Sequence, residues 1–460
     1  MARAVLVSLA DDVTNVGIRS LAATLEANGV EAHVVMLPRA GETAVGQPSW
    51  LPDLLDLGDG ADVFGLGVMS IDAARARSLS TSIRAARSTP LVWGGPYPTL
   101  RPQACAPYAD AVCVGDGESF LAALLAGQSL PNPAPLAAPV EVERAPRVAL
   151  DRTWILDRGR IRAATAANLR PFLARSATSR DTDTLGYETV TSRGCPHACT
   201  FCGSTALKGV APGRYFRGRS VDSILDELEL ARATYPYLTG IGFADDNFLA
   251  RSVSWIEDFS RRYKARIGLP FLCLGSPATI TAARLGPLVD AGLCRLKMGI
   301  QSGSEAVTRR FDRVVLNRRL DDALGAIAAY QQRMYPPRFD ILVDLPFESV
   351  EDRIDTLALV ARLPRPYRLE LNSLRLMEGT PLHTQAVAEG WSTPDVSVNF
   401  KKVSPTWTNL VLALCRDGRM PGPMVATLGR PALVRTMSAG RPAALLRGVW
   451  GALRRDGAPP

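Results

Sequence analysis

Short apolar runs alternate with amphipathic stretches over the first 127 residues. Residues 4–9 (Ala-Val-Leu-Val-Ser-Leu) are almost wholly apolar on both pleat faces, as a buried strand requires. A helical period follows over about 17–27 and stops at Asn28-Gly29, a pair suited to ending a helix. The pattern then repeats, with strands at 32–36, 62–68, 90–93 and 111–114 and helices at 71–87 and near 119–125. This alternation predicts a doubly wound, Rossmann-like parallel sheet. Such sheets take ligands beyond the carboxyl ends of their strands. Those ends hold Asp12, Ser70, Gly94, Gly95 and Gly115-Asp-Gly117-Glu118. Residues 131–147 are rich in Pro and Ala, a semi-stiff linker, and 148–185 show no period.

From Tyr187 the alternation resumes six times. Strands fall near 187–192, 238–244, 270–274, 293–300, 338–343 and 368–376, and helices near 220–234, 252–266, 281–291, 318–333, 349–362 and 380–389. Six repeats predict a partial (β/α)6 barrel, open on one side, with its chemistry at the strand carboxyl ends. In the last stretch Leu446, Val449, Trp450 and Leu453 fall at helical spacing beside Arg447, Arg454 and Arg455. A small helical, basic extension follows from this. Packing on the barrel, docking of an acidic substrate and contact with a lipid surface all suit it. The α/β chain thus divides into 1–130, a linker 131–185, the barrel 186–395 and the extension 396–460.

Charge changes this picture little. The net charge is +8, but eight Arg against two Asp in 416–460 supply +6 of it. A nearly neutral body argues against a nucleic-acid surface. No run of 18 apolar residues is present, so no transmembrane helix is expected, and the first strand runs into Asp11-Asp12 rather than a signal-peptide pattern. Eight cysteines in 460 residues are too sparse for a disulfide framework. Three crowd into one loop that needs them reduced, which points to the cytoplasm. The other five read as small buried hydrophobes.

The crowded loop is Cys195-Pro-His-Ala-Cys199-Thr-Phe201-Cys202, on the turn leaving the 187–192 strand. Three thiolates so spaced can hold three irons of a cubane cluster and leave the fourth open. A structural zinc site needs four N/S ligands, and His197, inside the chelate loop, would close it only with strain. The Cys-x3-Cys-x2-Cys spacing, with Phe201 before the third cysteine, resembles the signature of the radical SAM superfamily. There the open iron chelates S-adenosylmethionine (SAM) and the reduced cluster cleaves it to a 5′-deoxyadenosyl radical. The resemblance extends along later strand ends. Gly242-Phe-Ala-Asp245-Asp246-Asn-Phe248 resembles the segment that binds the SAM amino group. Gly299-Ile-Gln301-Ser302-Gly-Ser304 resembles the one that contacts its ribose and carboxylate. Asp344-Leu-Pro346-Phe-Glu348 resembles a Gly-x-Pro-x-Glu segment with Asp in the glycine place. Arg217-Gly-Arg219 precedes the first barrel helix, where either Arg suits the SAM carboxylate.

A Rossmann-like domain ahead of such a barrel resembles the cobalamin-dependent branch of the superfamily, matched by Ser70, Gly94-Gly95-Pro-Tyr-Pro-Thr99 and Gly115-Asp-Gly117-Glu118. Cobalamin folds that ligate cobalt from below carry Asp-x-His-x-x-Gly; here Asp12-Val-Thr14-Asn-Val-Gly17 keeps the frame with Thr for His. This implies no protein nitrogen on cobalt. RNA methylthiotransferases share the domain order but carry a second three-cysteine cluster, and this first domain has only Cys105 and Cys113. The resemblance implies three cofactors: a [4Fe-4S] cluster, SAM and cobalamin. It also implies a flavodoxin- or ferredoxin-like electron donor and a small-molecule or peptide substrate. The expected activity is methyl transfer from SAM, through methylcobalamin, to an unactivated carbon of a natural-product-type substrate after hydrogen abstraction. Radical cyclisation or rearrangement with the same cofactors, a polar methyl transfer, a radical SAM enzyme without cobalamin, and a non-catalytic cofactor-binding protein are the alternatives.

Overall fold

In the computed structural model, which describes residues 1–9, 15–37, 48–129, 131–135, 142, 144–174, 185–210, 215–394 and 400–438, the apolar runs become strands. β1 (Arg3–Ser8), β2 (Glu31–Met36), β3 (Val63–Gly67), β4 (Leu91–Gly94) and β5 (Ala111–Val112) pair in parallel. A hairpin of β6 (Thr153–Asp157) and β7 (Arg160–Ala163) extends the sheet, β6 lying parallel to β2. The strand order is β5-β4-β3-β1-β2-β6-β7. The hairpin falls in the stretch read from sequence as aperiodic linker. Its strands are too short, and too rich in Arg and Asp, to show an apolar alternation. It covers His33, which is buried: Trp154 donates its indole N–H to Nδ1, and Nε2 meets Glu31 at 2.7 Å.

β1 and β3 are adjacent while β2 lies on the other side of β1, so the chain reverses its winding there. The crevice beyond the carboxyl ends of such neighbours is the usual ligand site. Val5, Val7, Leu66 and Trp93 fill the core beneath it. Each such fully buried side chain contributes about 1.5–3 kcal/mol.

The second sheet contains β8 (Gly186–Thr189), β11 (Gly240–Phe243), β12 (Phe271–Gly275), β13 (Leu293–Gln301), β14 (Arg338–Val343) and β15 (Arg368–Ser373). Their order follows the chain, β8-β11-β12-β13-β14-β15, the succession a partial (β/α)6 barrel requires. Beside it a two-stranded ribbon, β9 (Ser192–Arg193) with β10 (Arg217–Gly218), brackets the cysteine loop in sequence. Helices start where a hydroxyl can cap them. Ser220, Ser304, Ser349, Thr380 and Thr406 each accept a backbone N–H, and Ser349 with Asp352 completes a capping box. The caps at Ser220, Ser349 and Thr380 account for helix starts within a residue or two of those expected; the helices after Ser304 and Thr406 were not expected.

The chain divides into two compact units. One is Met1–Pro196, Gly203–Phe248 and Arg262–Phe271; the other is His197–Cys202, Leu249–Arg261 and the described residues from Leu272 onward. Three helices, Trp407–Leu414, Gly422–Leu428 and Pro431–Ser438, close the second unit, burying Val425 and Val434. The apolar set at 446–453 and its arginines lie outside the described residues. No helix among the described residues is long and apolar enough to cross a membrane.

Candidate functional site

In the first unit the carboxyl ends of β1, β3, β4 and β5 surround a cavity of about 330 Å³. Gly17, Gly94, Gly95, Gly115 and Gly117, all singled out from sequence, line it, as do Ile18, Leu66 and Val68. Two of the glycines are required by close approach. Gly95 has φ +106°, and a Cβ there would stand 3.1 Å from the Val68 carbonyl oxygen; at Gly117 it would stand 3.0 Å from the Leu21 side chain. Ser70 opens a short 3-10 turn, Ser70–Asp72, and is not part of the wall. Asp12 and Thr14 lie outside the described residues. Burial pushes the Cys113 thiol in the wall up to about 12, so it stays protonated and unreactive.

Among the described residues, charge enters the cavity at one edge. Asp116 is the N-cap of helix Gly117–Leu125 but its side chain makes no capping bond. It pairs instead with Arg217 at 2.5 Å and Arg193 at 3.5 Å, and Glu118 pairs with Arg193 at 2.5 Å. Arg217, read from sequence as a possible partner for a carboxylate of SAM, thus meets a protein carboxylate. Arg193 was not foreseen. Nothing in its spacing marks it except that it immediately precedes Gly194-Cys195.

The turn into the cysteine loop is braced from below. Asp245, buried, accepts the Thr191 N–H at 2.9 Å, the Thr191 hydroxyl at 2.7 Å and the Ser192 hydroxyl at 2.6 Å. Its neighbour Asp246 is exposed and accepts the Ser204 hydroxyl. Arg219 is buried and donates to Glu227 at 2.5 Å, to the Val190 carbonyl and to Ser223. Glu227 also accepts the Tyr187 hydroxyl at 2.7 Å, and Arg19, from the first helix, donates to that same hydroxyl. Burial drives Tyr187 well above its usual range, so the network holds a neutral phenol.

In the second unit Cys199 is buried and accepts a hydrogen bond from Arg313 Nη1 at 3.1 Å. Arg313 Nη2 donates to the Gly299 carbonyl at 2.6 Å, and its Nε–H is buried with no partner. Sequence reading missed Arg313; twelve residues beyond Gln301 and past a short helix, it carries no local signal. Phe201 packs edge-on against Phe311, centroids 4.7 Å apart, in an apolar cluster with Leu345, Leu374 and Leu382. His197 is engaged with Ser276 at 2.9 Å. Among the described residues no three His, Cys, Asp or Glu side chains converge on a single metal ion. A cubane takes its thiolates on separate irons, so a single-ion geometry is not the one demanded.

The later strand ends of this unit carry strained backbone. Gln301 has φ +74° and Asp344 φ +58°, both in the left-handed region. Ser302 is buried against the Thr356 hydroxyl, 3.2 Å away. Between them and the next helix, a Cβ on Gly303 would meet the Asp355 carbonyl oxygen at 2.6 Å. Asp344 accepts the Ser404 N–H at 3.0 Å and Asn409 Nδ2 at 2.8 Å. Burial raises Glu348 to about 7, although Arg353 beside it pulls the other way.

A family model described as B12 binding domain matches residues 2–125, and one described as Radical SAM superfamily matches residues 189–360. No curated protein matches the chain. The fold is similar to that of TsrM from Kitasatospora setae, a radical S-adenosylmethionine methyltransferase solved with cobalamin and a [4Fe-4S] cluster. The TM-score is 0.66 at 17% identity, covering 85% of this chain and 78% of that one. TsrM has also been solved with its tryptophan substrate and a SAM analogue, at TM-score 0.65, 17% identity, 85% coverage of this chain and 76% of that one. OxsB, a cobalamin-dependent S-adenosylmethionine radical enzyme, is similar at TM-score 0.60 and 16% identity, covering 85% of this chain and 62% of that one.

Proposed function

This chain belongs to the cobalamin-dependent radical SAM enzymes, and from that premise we propose that it is a methyltransferase that moves a methyl group from SAM, by way of cobalamin, to an unactivated carbon of a small natural-product-type molecule. One observation carries the reading. A glycine-rimmed apolar cavity lies at strand carboxyl ends, in the same chain as a three-cysteine loop whose middle thiol receives a buried guanidinium. When bound, a [4Fe-4S] cluster supplies the electron that cleaves SAM to a 5′-deoxyadenosyl radical, and cobalamin supplies the methyl group.

The chain's own residues hold, orient and shield. Cys195, Cys199 and Cys202 are the cluster ligands. Arg313 donates to Cys199, which lowers the electron density on that sulfur. Its unpartnered Nε–H, buried beside a ligand thiol, suits a carboxylate such as that of SAM. Asp246, the exposed member of its pair, suits the SAM ammonium, while Asp245 keeps the turn into the loop rigid. Gln301 and Ser302 present polar groups from a strained strand end. Gly17, Gly94, Gly95, Gly115 and Gly117 let backbone approach a flat macrocycle, and the hydrocarbon around them excludes water. Hydrogen-atom abstraction needs no general base, in keeping with only three histidines in the chain. Three reduced thiols fit the cytoplasm, where a flavodoxin- or ferredoxin-like protein supplies the electron.

Anaerobic purification with iron, sulfide and cobalamin quantified, followed by incubation with methyl-labelled SAM, tests the proposal. Four irons and one cobalamin per chain, labelled product and 5′-deoxyadenosine are expected. Unlabelled product would mean cyclisation or rearrangement, and labelled product without 5′-deoxyadenosine a polar transfer. Iron without cobalamin would sink the reading.

A further inference from the structure

Two arginines bracket the cysteine loop, and two carboxylates from the cavity wall hold both. Arg193 on β9 lies directly across from Arg217 on β10. Like charges facing each other across a ribbon repel. Asp116 lies between them, at 2.5 Å from Arg217 and 3.5 Å from Arg193, and Glu118 takes the other arm of Arg193 at 2.5 Å. Asp116 forgoes its capping bond in this arrangement, and Glu118 is 5% exposed. Asp116, Glu118 and Arg193 are all part of the cavity wall, whereas Arg217 is not. The connection onward from Arg193 is closely packed. Gly194 has φ +82°, and a Cβ there would stand 2.7 Å from the Tyr215 ring and 2.8 Å from its carbonyl oxygen. Only one residue separates Arg193 from Cys195, and it lies against Tyr215.

We propose that Arg193 is a positioning residue that couples the filling of the first-unit cavity to the seating of the loop arm carrying Cys195. The inference rests on the reading that the cavity takes a corrin and the loop a cluster. A molecule filling the cavity presses on the same wall that grips Arg193, and Gly194 passes any shift to Cys195. Such coupling is reciprocal: cluster loading then tightens corrin binding by the same factor by which the corrin favours the loaded loop.

The test is binding of hydroxocobalamin to the full chain, followed by absorbance, with the cluster reconstituted and with iron stripped. In the wild type, loading the cluster tightens binding about tenfold. Arg193→Gln brings the ratio to within about twofold of unity, and Arg193→Lys restores part of it, since the amine keeps its charge against Glu118 but loses the fork. Arg84→Gln, which breaks an exposed pair with Asp110, leaves the ratio at the wild-type value. Hydrogen exchange at the amides of 193–195 slows on adding hydroxocobalamin to the wild type and not to Arg193→Gln. A wild-type ratio of one with both cofactors bound, or a ratio untouched by Arg193→Gln, overturns this inference alone. Failure of the wild type to take up either cofactor overturns it together with the proposed function.

Discussion

The cavity of the first unit and the strand ends of the second prepare for ligands by opposite means. The cavity wall is mostly glycine and hydrocarbon, and its charges gather at one edge, where they satisfy one another. The strand ends of the second unit instead combine strained backbone, Gln301 and Asp344 at positive φ, with sheltered polar groups: Ser302 and Arg313 buried and Glu348 largely so. A wall of the first kind recognises shape, so it fails when volume is added. A rim of the second kind recognises charge, so it fails when a polar atom is replaced at constant volume. Substitutions chosen on that basis separate the two.

The largest effect belongs to the loop. Cys199→Ala removes one of three thiols and strands Arg313 beside a methyl group; iron and sulfide should drop to background and 5′-deoxyadenosine formation should vanish. Cobalamin binding should survive, weakened only by the coupling argued above. Next is Gly95→Val. It forces a β-branched residue into φ +106° with its Cβ 3.1 Å from the Val68 oxygen, at a cost of about 3 kcal/mol, or roughly a hundredfold in cobalamin affinity. Iron content should fall only by the coupling argued above. Arg313→Met keeps volume and removes charge. It should raise the SAM requirement about ten- to a hundredfold, with cobalamin uptake intact; a variant that loses both cofactors would erase the contrast.

The sequence made the regular parts plain because each is encoded locally. Strands of Val, Leu and Ile bounded by glycine, and helices opened by Ser220, Ser349 or Thr380, carry their own boundaries. The wall glycines were visible for the same reason. The hairpin at 153–163 was not, since Asp53, which pairs with Arg160 at 2.6 Å and fixes it, lies over a hundred residues away. Arg193, Arg313 and the Glu227 network were hidden likewise: the partners Glu118 and Cys199 are 75 and 114 positions distant, and Glu227 meets Arg19 from the first helix of the chain. Arg219 shows the converse. Its motif was legible, but its guanidinium is committed to Glu227.

Glu348 sharpens the second half of the comparison through pH. Burial holds its folded-state value near 7 against an ordinary 4.5, with Arg353 only partly compensating. The folded chain therefore binds a proton that the unfolded chain has released between about pH 4.5 and 7. Stability should fall by about 2 kcal/mol as pH rises through that window. Glu348→Gln should flatten the slope, read from denaturant unfolding at pH 5 and pH 8. An unchanged slope would place the titrating group elsewhere.

The smallest effect comes from Asp344, which stands in the glycine place of the Gly-x-Pro-x-Glu pattern that the 344–348 segment resembles. Asp344 sits at φ +58°, a conformation that costs a non-glycine residue about 1 kcal/mol. Its carboxylate holds the Ser404 N–H, just before helix Trp407–Leu414, and the Asn409 amide in that helix's first turn. Each such bond to a charged acceptor is worth about 1.5 kcal/mol before exposure weakens it. With exposure reducing each bond to about 1 kcal/mol or less, Asp344→Gly trades the two against the relieved strain, so global stability should fall by no more than about 1 kcal/mol. Limited proteolysis between 400 and 410 should nevertheless accelerate several-fold, because the anchor is local while the relief is spread over the fold. Asp344→Asn should sit between the two, keeping an acceptor for Ser404 but losing the charge. Equal cleavage of all three would show that Asp344 tolerates its strain without anchoring the extension. The second region would then owe its polar groups to ligands alone.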